Sequence, residues 1–365
     1  MTCREIQLIV EDNDRVRARS EGGAEVSGRF RLSQLHRQLI AVFDAWLREK
    51  KISNRKEVQT FGALLYETLF EGEVERLFRQ SLERLGADER LRLQLVFRPD
   101  AYDLAGIPWE FLYCPDSETR RGFFLATKTD VVLSRYLPLD ADRASLQPAE
   151  LPIRFLIVVS RPKNLAAVLA EPVVEAIAEL SRDYPLKVTT LEQPTIETLL
   201  ERLEDFAPHV LHFMGHGQFR AEGEIALVEA DSEAALWVPD HSFAEFFDRT
   251  QPRLVVLQAC EGGQIDLTNN FAGLAPRLVR AGIPAVVAMQ YPVTNKTAID
   301  FSSTFYQQLA KGEPADIAVQ EARRWITLRD ANAYRGRDFA APVLYLHSRD
   351  GAILPRRKED SLNGQ

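Results

Sequence analysis

Few features of this sequence are extreme, and each shortage excludes something. Only three cysteines occur in 365 residues, Cys3, Cys114 and Cys260, odd in number and far apart. They form neither a disulfide framework nor a CxxC metal pattern. Long hydrophobic runs are missing; stretches such as IPAVVAM (283–289) fall far short of the roughly 20 residues a membrane helix needs. The opening residues, MTCREIQLIVED, have no basic region followed by an apolar one, as a signal peptide would. Positive charge is not in excess: 45 Lys and Arg stand against 53 Asp and Glu, a net charge of −8, which disfavours a nucleic-acid or anionic-membrane surface. There is no internal repeat and no low-complexity tract. No GxxxxGK[ST] phosphate loop occurs, and Gly215-x-Gly217 lacks the third glycine of a dinucleotide loop, Arg220 standing in its place. These absences lead us to expect a soluble, cytoplasmic protein with reduced thiols, contacting neither membrane nor nucleic acid.

What is present is enough for a sizeable core, since 45% of the residues are hydrophobic. The length suits one large domain or two fused lobes. The first stretch reads as a hairpin of strands over 5–10 and 24–32. Helical periodicity follows over 32–50, where the leucine and tryptophan stripe of 35–47 reads as helix core. Further helices are expected over 57–70 and 73–85, and strands over 90–97, 123–126 and 131–136. Residues 137–152 hold three prolines and scattered charges, a linker pattern. Beyond it apolar strands (154–160, 187–191, 209–214, 253–259, 285–289, 343–346) alternate with helices (169–182, 196–206, 270–281, 297–310, 314–328). Such alternation predicts an α/β fold with a mostly parallel sheet and helices on both faces. We therefore expect a leading lobe over 1–150, a second lobe over 151–350 and a polar tail over 351–365.

Two strands end in residues capable of chemistry. One ends at His216, held in Gly215-His216-Gly217; the other ends at Cys260, in QACEGG (258–263). In open parallel sheets functional groups gather beyond the carboxyl ends of strands. A thiol needs a base to become a thiolate, and imidazole has a suitable pKa. Flanking glycines allow a peptide backbone to come close and leave main-chain N–H groups for an oxyanion. A lone buried cysteine is more often an inert small hydrophobe, but Cys260 stands where an apolar strand meets a Glu-Gly-Gly turn, with a histidine motif to match. Cys3 and Cys114 lack such surroundings and read as structural. His212 and His216, four apart, would suit a metal on a helix; on a strand His212 reads as packed. His36, His209, His241 and His347 have no local partner pattern. Asp231, Asp240 and Asp266 fall in loops, where an aspartate is more often solvated than pocket-lining.

The caspase signature is Q-A-C-[RQG]-G with a histidine roughly 50 residues upstream. Here the segment reads Q-A-C-E-G, departing at Glu261, and His216 stands 44 residues before Cys260. At this point the sequence resembles the CHAT domain, a caspase-like branch of cysteine peptidases that is also similar to separase. The matching segments are AGIPWEFLY (105–113), HVLHFMGHG (209–217), VVLQACEGG (255–263), FAGLAPRLVRAGIPAVVAMQYPV (271–293) and FAAPVLYLHS (339–348). The resemblance implies a caspase-like three-layer sandwich, preceded by a smaller pseudo-caspase-like lobe. It implies a cysteine endopeptidase with His216 as base, Cys260 as nucleophile, and the N–H groups of Gly217 and Cys260 as oxyanion donors. Gln258 inherits the role of lining the S1 pocket, and strand period two places it on the same face as Cys260. A neutral residue there implies a non-basic P1 residue, unless Asp266 supplies the charge. No metal or organic cofactor is implied. The partners implied are a protein substrate and an activating partner chain or sensor domain, in a setting of bacterial defence or signalling. Only EGGQIDLTNN separates Cys260 from the next helix, so switching by binding is expected rather than by caspase-like excision. The alternatives are a catalytically silent scaffold of the same family that binds partner proteins, and a small-ligand-binding domain.

Overall fold

In the stretch RVRARS (15–20), arginines alternate with the small apolar residues Val16 and Ala18. The computed structural model describes residues 2–11, 14–52, 54–98, 104–116, 122–138, 149–219, 222–259, 273–330, 336–348 and 350–354. It divides into two compact units, Met1–Pro138 with Arg323–Val343, and Leu139–Ala322 with Leu344–Gln365.

In the first unit, β1 (Thr2–Val10), β2 (Arg15–Ser20) and β3 (Glu25–Arg29) pair antiparallel in succession. The single hairpin expected over 5–10 and 24–32 is therefore two hairpins. The segment RVRARS between its arms is itself a strand, burying Val16 and Ala18 while Arg17 pairs with Glu11 and Glu25. α1 (Gln34–Arg48) starts at Ser33, whose hydroxyl accepts the His36 N–H. Its apolar stripe is not core as expected: α1 buries Ile40 and Leu47 and exposes Leu35, Leu39, Val42 and Trp46. α2 (Arg55–Leu69) and α3 (Glu73–Glu83) follow. β4 (Glu89–Phe97) pairs parallel with β1 and with β7 (Val131–Tyr136), and β5 (Tyr113–Cys114) with β6 (Phe123–Phe124) makes a short ribbon between them in sequence. The sheet order is β3-β2-β1-β4-β7.

The AGIPWEFLY segment folds around a buried charge. Glu110 is fully enclosed and receives Arg135 on both carboxylate oxygens, while Arg135 also donates to the Ala105 and Ile107 carbonyls. Arg323 lies 3.7 Å from Glu110 and donates to the Leu133 and Pro342 carbonyls. Burial pulls the Arg323 pKa down to about 10, which leaves it charged at neutral pH. Two cations thus share one carboxylate, and backbone carbonyls take further donors of both.

The second unit is the regular α/β part. β8 (Ile153–Val159), α4 (Glu171–Leu180), β9 (Leu186–Glu192), α5 (Ile196–Phe206) and β10 (Val210–Gly215) run in alternation. A small antiparallel sheet follows, of β11 (Gly217–Phe219), β12 (Gly223–Val228) and β13 (Ala235–Pro239). The six-residue helix α6 (Asp240–Glu245) then leads to β14 (Leu254–Ala259). α7 (Ala275–Arg280), β15 (Ala285–Met289), α8 (Asn295–Ala310), α9 (Ala315–Arg329) and β16 (Pro342–Leu346) complete the order. The boundary between the units falls inside α9, after Ala322, and inside β16, after Val343. The strand order is β16-β15-β14-β10-β8-β9, and the pairings from β15 to β9 are parallel. Strands covered on both faces are apolar at nearly every position, as IRFLIVV and VLHFMG are here. The fold is α/β with a mostly parallel sheet flanked by helices, as the sequence predicts. Among the described residues no helix is long and apolar enough to cross a membrane.

Candidate functional site

β10 and β14 are neighbours in parallel register, with Met214 opposite Gln258 and Gly215 opposite Ala259 as the last rung. His216 follows β10 by one residue. Cys260 follows β14 by one residue and, like Asp266, lies outside the described residues.

His216 is 7% exposed. Its main-chain carbonyl accepts the Ala226 N–H of β12 at 2.9 Å, and its ring Nε2 lies 2.9 Å from the Ala166 carbonyl. A carbonyl can only accept, so this bond sets Nε2 as the protonated nitrogen. Gly217 opens β11 and sits opposite Ile225. The glycine before the histidine has a packing reason. A Cβ on Gly215 would lie 2.7 Å from Phe213 Cε1 and 3.2 Å from Ser160 Cβ, so the space there is already filled by the core.

The Ala166 carbonyl is the contact the sequence reading missed, because any residue type supplies a backbone oxygen. Its loop is well held. Arg161 Nε donates to the Val168 carbonyl at 2.9 Å, and its guanidinium also meets Glu171 and Glu192. Asn164 Oδ1 accepts the Ala235 N–H of β13 at 2.7 Å. The Glu171 pKa is lowered, first by its own backbone N–H at the start of α4 and further by the Arg161 charge.

Gln258 is fully buried and accepts the Ser302 hydroxyl of α8 at 3.4 Å. Beneath it in the same core, the Tyr306 hydroxyl meets His212 Nδ1 at 2.9 Å. Burial pushes the His212 pKa down to about 3, a contact with Gln258 opposing the shift only in part, so His212 is a neutral packed strand residue. His209 is driven down to about 4 by burial and then by the Arg154 and Arg253 charges, and its Nδ1 accepts the Arg154 N–H. Asp231 is exposed as a solvated aspartate would be, whereas Asp240, expected in a loop, opens α6 and is buried against Arg277, whose guanidinium pairs with it. His241, without a partner pattern in sequence, meets Glu222. Cys114 is buried, and that burial raises its thiol pKa.

The CHAT domain family model matches residues 59–347. This chain belongs to the CHAT domain family. Two crystal structures of the Saccharomyces cerevisiae separase–securin complex are similar to this CHAT domain. One, at 3.0 Å, aligns over 75% of this chain and 16% of the matched chain, with 15% identity and a TM-score of 0.39. The other, at 2.6 Å, aligns over 78% of this chain and 17% of the matched chain, with 14% identity and a TM-score of 0.40. The CHAT domain thus spans about a sixth of the separase-complex chains it matches. No curated protein matches the sequence.

Proposed function

We propose that this CHAT domain is a caspase-like cysteine endopeptidase that cuts a protein partner through a His216–Cys260 dyad. The observation that carries the reading is the strand register. β10 and β14 are adjacent parallel strands whose pairing ends at Gly215 opposite Ala259, and the next residues are His216 and Cys260. Strands so paired lie about 4.8 Å apart, a separation that suits a nucleophile and its base. The Ala166 carbonyl supports the same assignment, since an imidazole donating from Nε2 takes its next proton at Nδ1.

In the first step Nδ1 of His216 removes the Cys260 thiol proton, and the sulfur attacks the scissile carbonyl carbon. Charge passes to the carbonyl oxygen, where the N–H groups of Gly217 and Cys260 are the proposed donors. Collapse breaks the C–N bond as the imidazolium returns its proton to the leaving amine, leaving a thioester that water hydrolyses. Gln258 and Asp266 are the proposed substrate-side residues. The enclosure of Gln258 against Ser302 supports its acting from beneath the pocket, by holding the cysteine strand. Activity is switched by a binding partner or sensor, a population shift that needs no chain cleavage.

The test combines labelling with a peptidyl electrophile, cleavage of a peptide library and intact mass. Cys260→Ala and His216→Ala should each lower cleavage by about 10²–10⁴ or more, and the double variant should be hardly worse than either alone. The active species should keep its full mass. Cleavage retained by Cys260→Ala would reject the assignment. A folded wild-type chain that no electrophile labels, with or without its partner, would make the domain a silent scaffold.

A further inference from the structure

A second cluster of chemically able groups lies away from the proposed dyad. Glu222 precedes β12, and Asp240 and His241 follow β13. One ligand atom from each lies within 4.8 Å of the others, and His241 Nδ1 is 3.0 Å from Glu222 Oε2. Asp240 is 3% exposed; Arg277 Nε holds its Oδ2 at 2.8 Å, while Oδ1 is buried with no hydrogen-bond partner. A buried carboxylate oxygen without a donor is costly, and a cation beside it would remove the cost.

We propose that Glu222, Asp240 and His241 bind one divalent transition-metal ion of the zinc class. The donor set selects the class: an imidazole with two carboxylates suits zinc-like ions, whereas calcium and magnesium prefer oxygen alone. Metal–ligand bonds of about 2.0–2.2 Å in tetrahedral array place ligand atoms about 3.4 Å apart, and the His241–Glu222 pair is close to that already. The remaining closure falls to side chains free to turn, with His241 52% and Glu222 37% exposed. Arg277 fits as the outer partner that orients the Asp240 carboxylate, leaving Oδ1 to the ion. Water completes the fourth position.

The place matters as much as the donors. Glu222 adjoins the strand that pairs with β11, directly after His216, and Arg277 belongs to α7, the first helix after Cys260 among the described residues. A Cβ on Gly223 would stand 3.3 Å from Asp240 Oδ2 and 3.7 Å from the Leu274 nitrogen. The ion therefore fastens together the chain segments that return from both halves of the proposed dyad.

The site stands whether or not Cys260 is a nucleophile, and its test uses full-length, tag-free Cys260→Ala protein, so that no dyad thiol competes for metal. The chelator-stripped protein is titrated with Zn2+ in a calorimeter and melted with and without it. We expect one ion per chain and a melting temperature about 3–4 °C higher at a hundredfold excess over Kd. His241→Ala and Glu222→Gln, at half-exposed positions, should each weaken binding tenfold or more while leaving the metal-free melting temperature unchanged. No saturable one-to-one binding, or wild-type affinity in either variant, overturns the proposal.

Discussion

Gly215 has no room for a methyl group. The Cβ of an alanine would fall 2.7 Å from Cε1 and 2.9 Å from Cζ of the Phe213 ring, which is itself fully buried, and 3.2 Å from Ser160 Cβ. Ser160 cannot retreat easily, because its N–H donates to the Met214 carbonyl and its hydroxyl to the Ala226 carbonyl. Overpacking of this kind costs about 1–3 kcal/mol. Gly215→Ala should therefore lower stability by that amount in urea titration, and should displace the adjacent His216 ring from Ala166. An unchanged midpoint would mean that the Phe213 ring has a second place to go. This residue also divides what the sequence told from what it hid. Two glycines around a histidine are a visible motif, but a packing role for the first depends on the residue two positions back and on a distant serine.

β10 carries His212 inside it and His209 at its entry, and both are neutral in the fold. An unfolded histidine titrates near 6.5, whereas these fall to about 3 and about 4. Between those values the unfolded chain binds protons that the folded chain refuses, so stability rises with pH there. The contribution is complete above about pH 6.5 and is lost progressively as pH falls towards 3–4. His212, fully buried, dominates; His209 is half-buried and screened. The urea midpoint should fall between pH 6.5 and 5, above the main carboxylate range, and the fall should shrink when His212→Leu is combined with Tyr306→Phe. A midpoint level over that interval in the wild type would contradict the assignment. At this scale β8, β10, β14 and β15 were legible, because strands covered on both faces are apolar throughout. β2 was not, since the alternation in RVRARS rests on two small apolar residues only, Val16 and Ala18, a short period-two signal. The α1 stripe misled in the opposite direction: helical spacing of Leu35, Leu39, Val42 and Trp46 marks a common face but not whether anything covers it. The α6 turn was hidden for a third reason, since six residues are too few to establish a period. With it went the Asp240–Arg277 pair, which links positions far apart in the chain.

At the scale of the whole molecule, the first unit is assembled from two stretches of chain. Residues 323–343 supply Arg323 beside Glu110, Phe339 against the Phe111 and Phe124 rings, and Arg337, which donates to the Leu47 and Arg48 carbonyls at the end of α1. Without them the bond from Arg323 to the Leu133 carbonyl is lost and two aromatic faces are bared. The fragment Met1–Pro138 alone should melt without a cooperative transition and bind a hydrophobic dye, and both should be reversed when residues 323–343 are restored by a linker. A sharp melt of the short fragment would show that it needs no second stretch. The split also sets an order in time. A ribosome adding about 5–20 residues per second finishes residue 138 roughly 10–40 s before residue 343. Through that interval the earliest part of the chain waits half-built while the later part is being made. Its unfinished faces are then open to chaperones and to neighbouring nascent chains, so crowding on the same messenger should bear hardest on the end of the protein that was synthesised first.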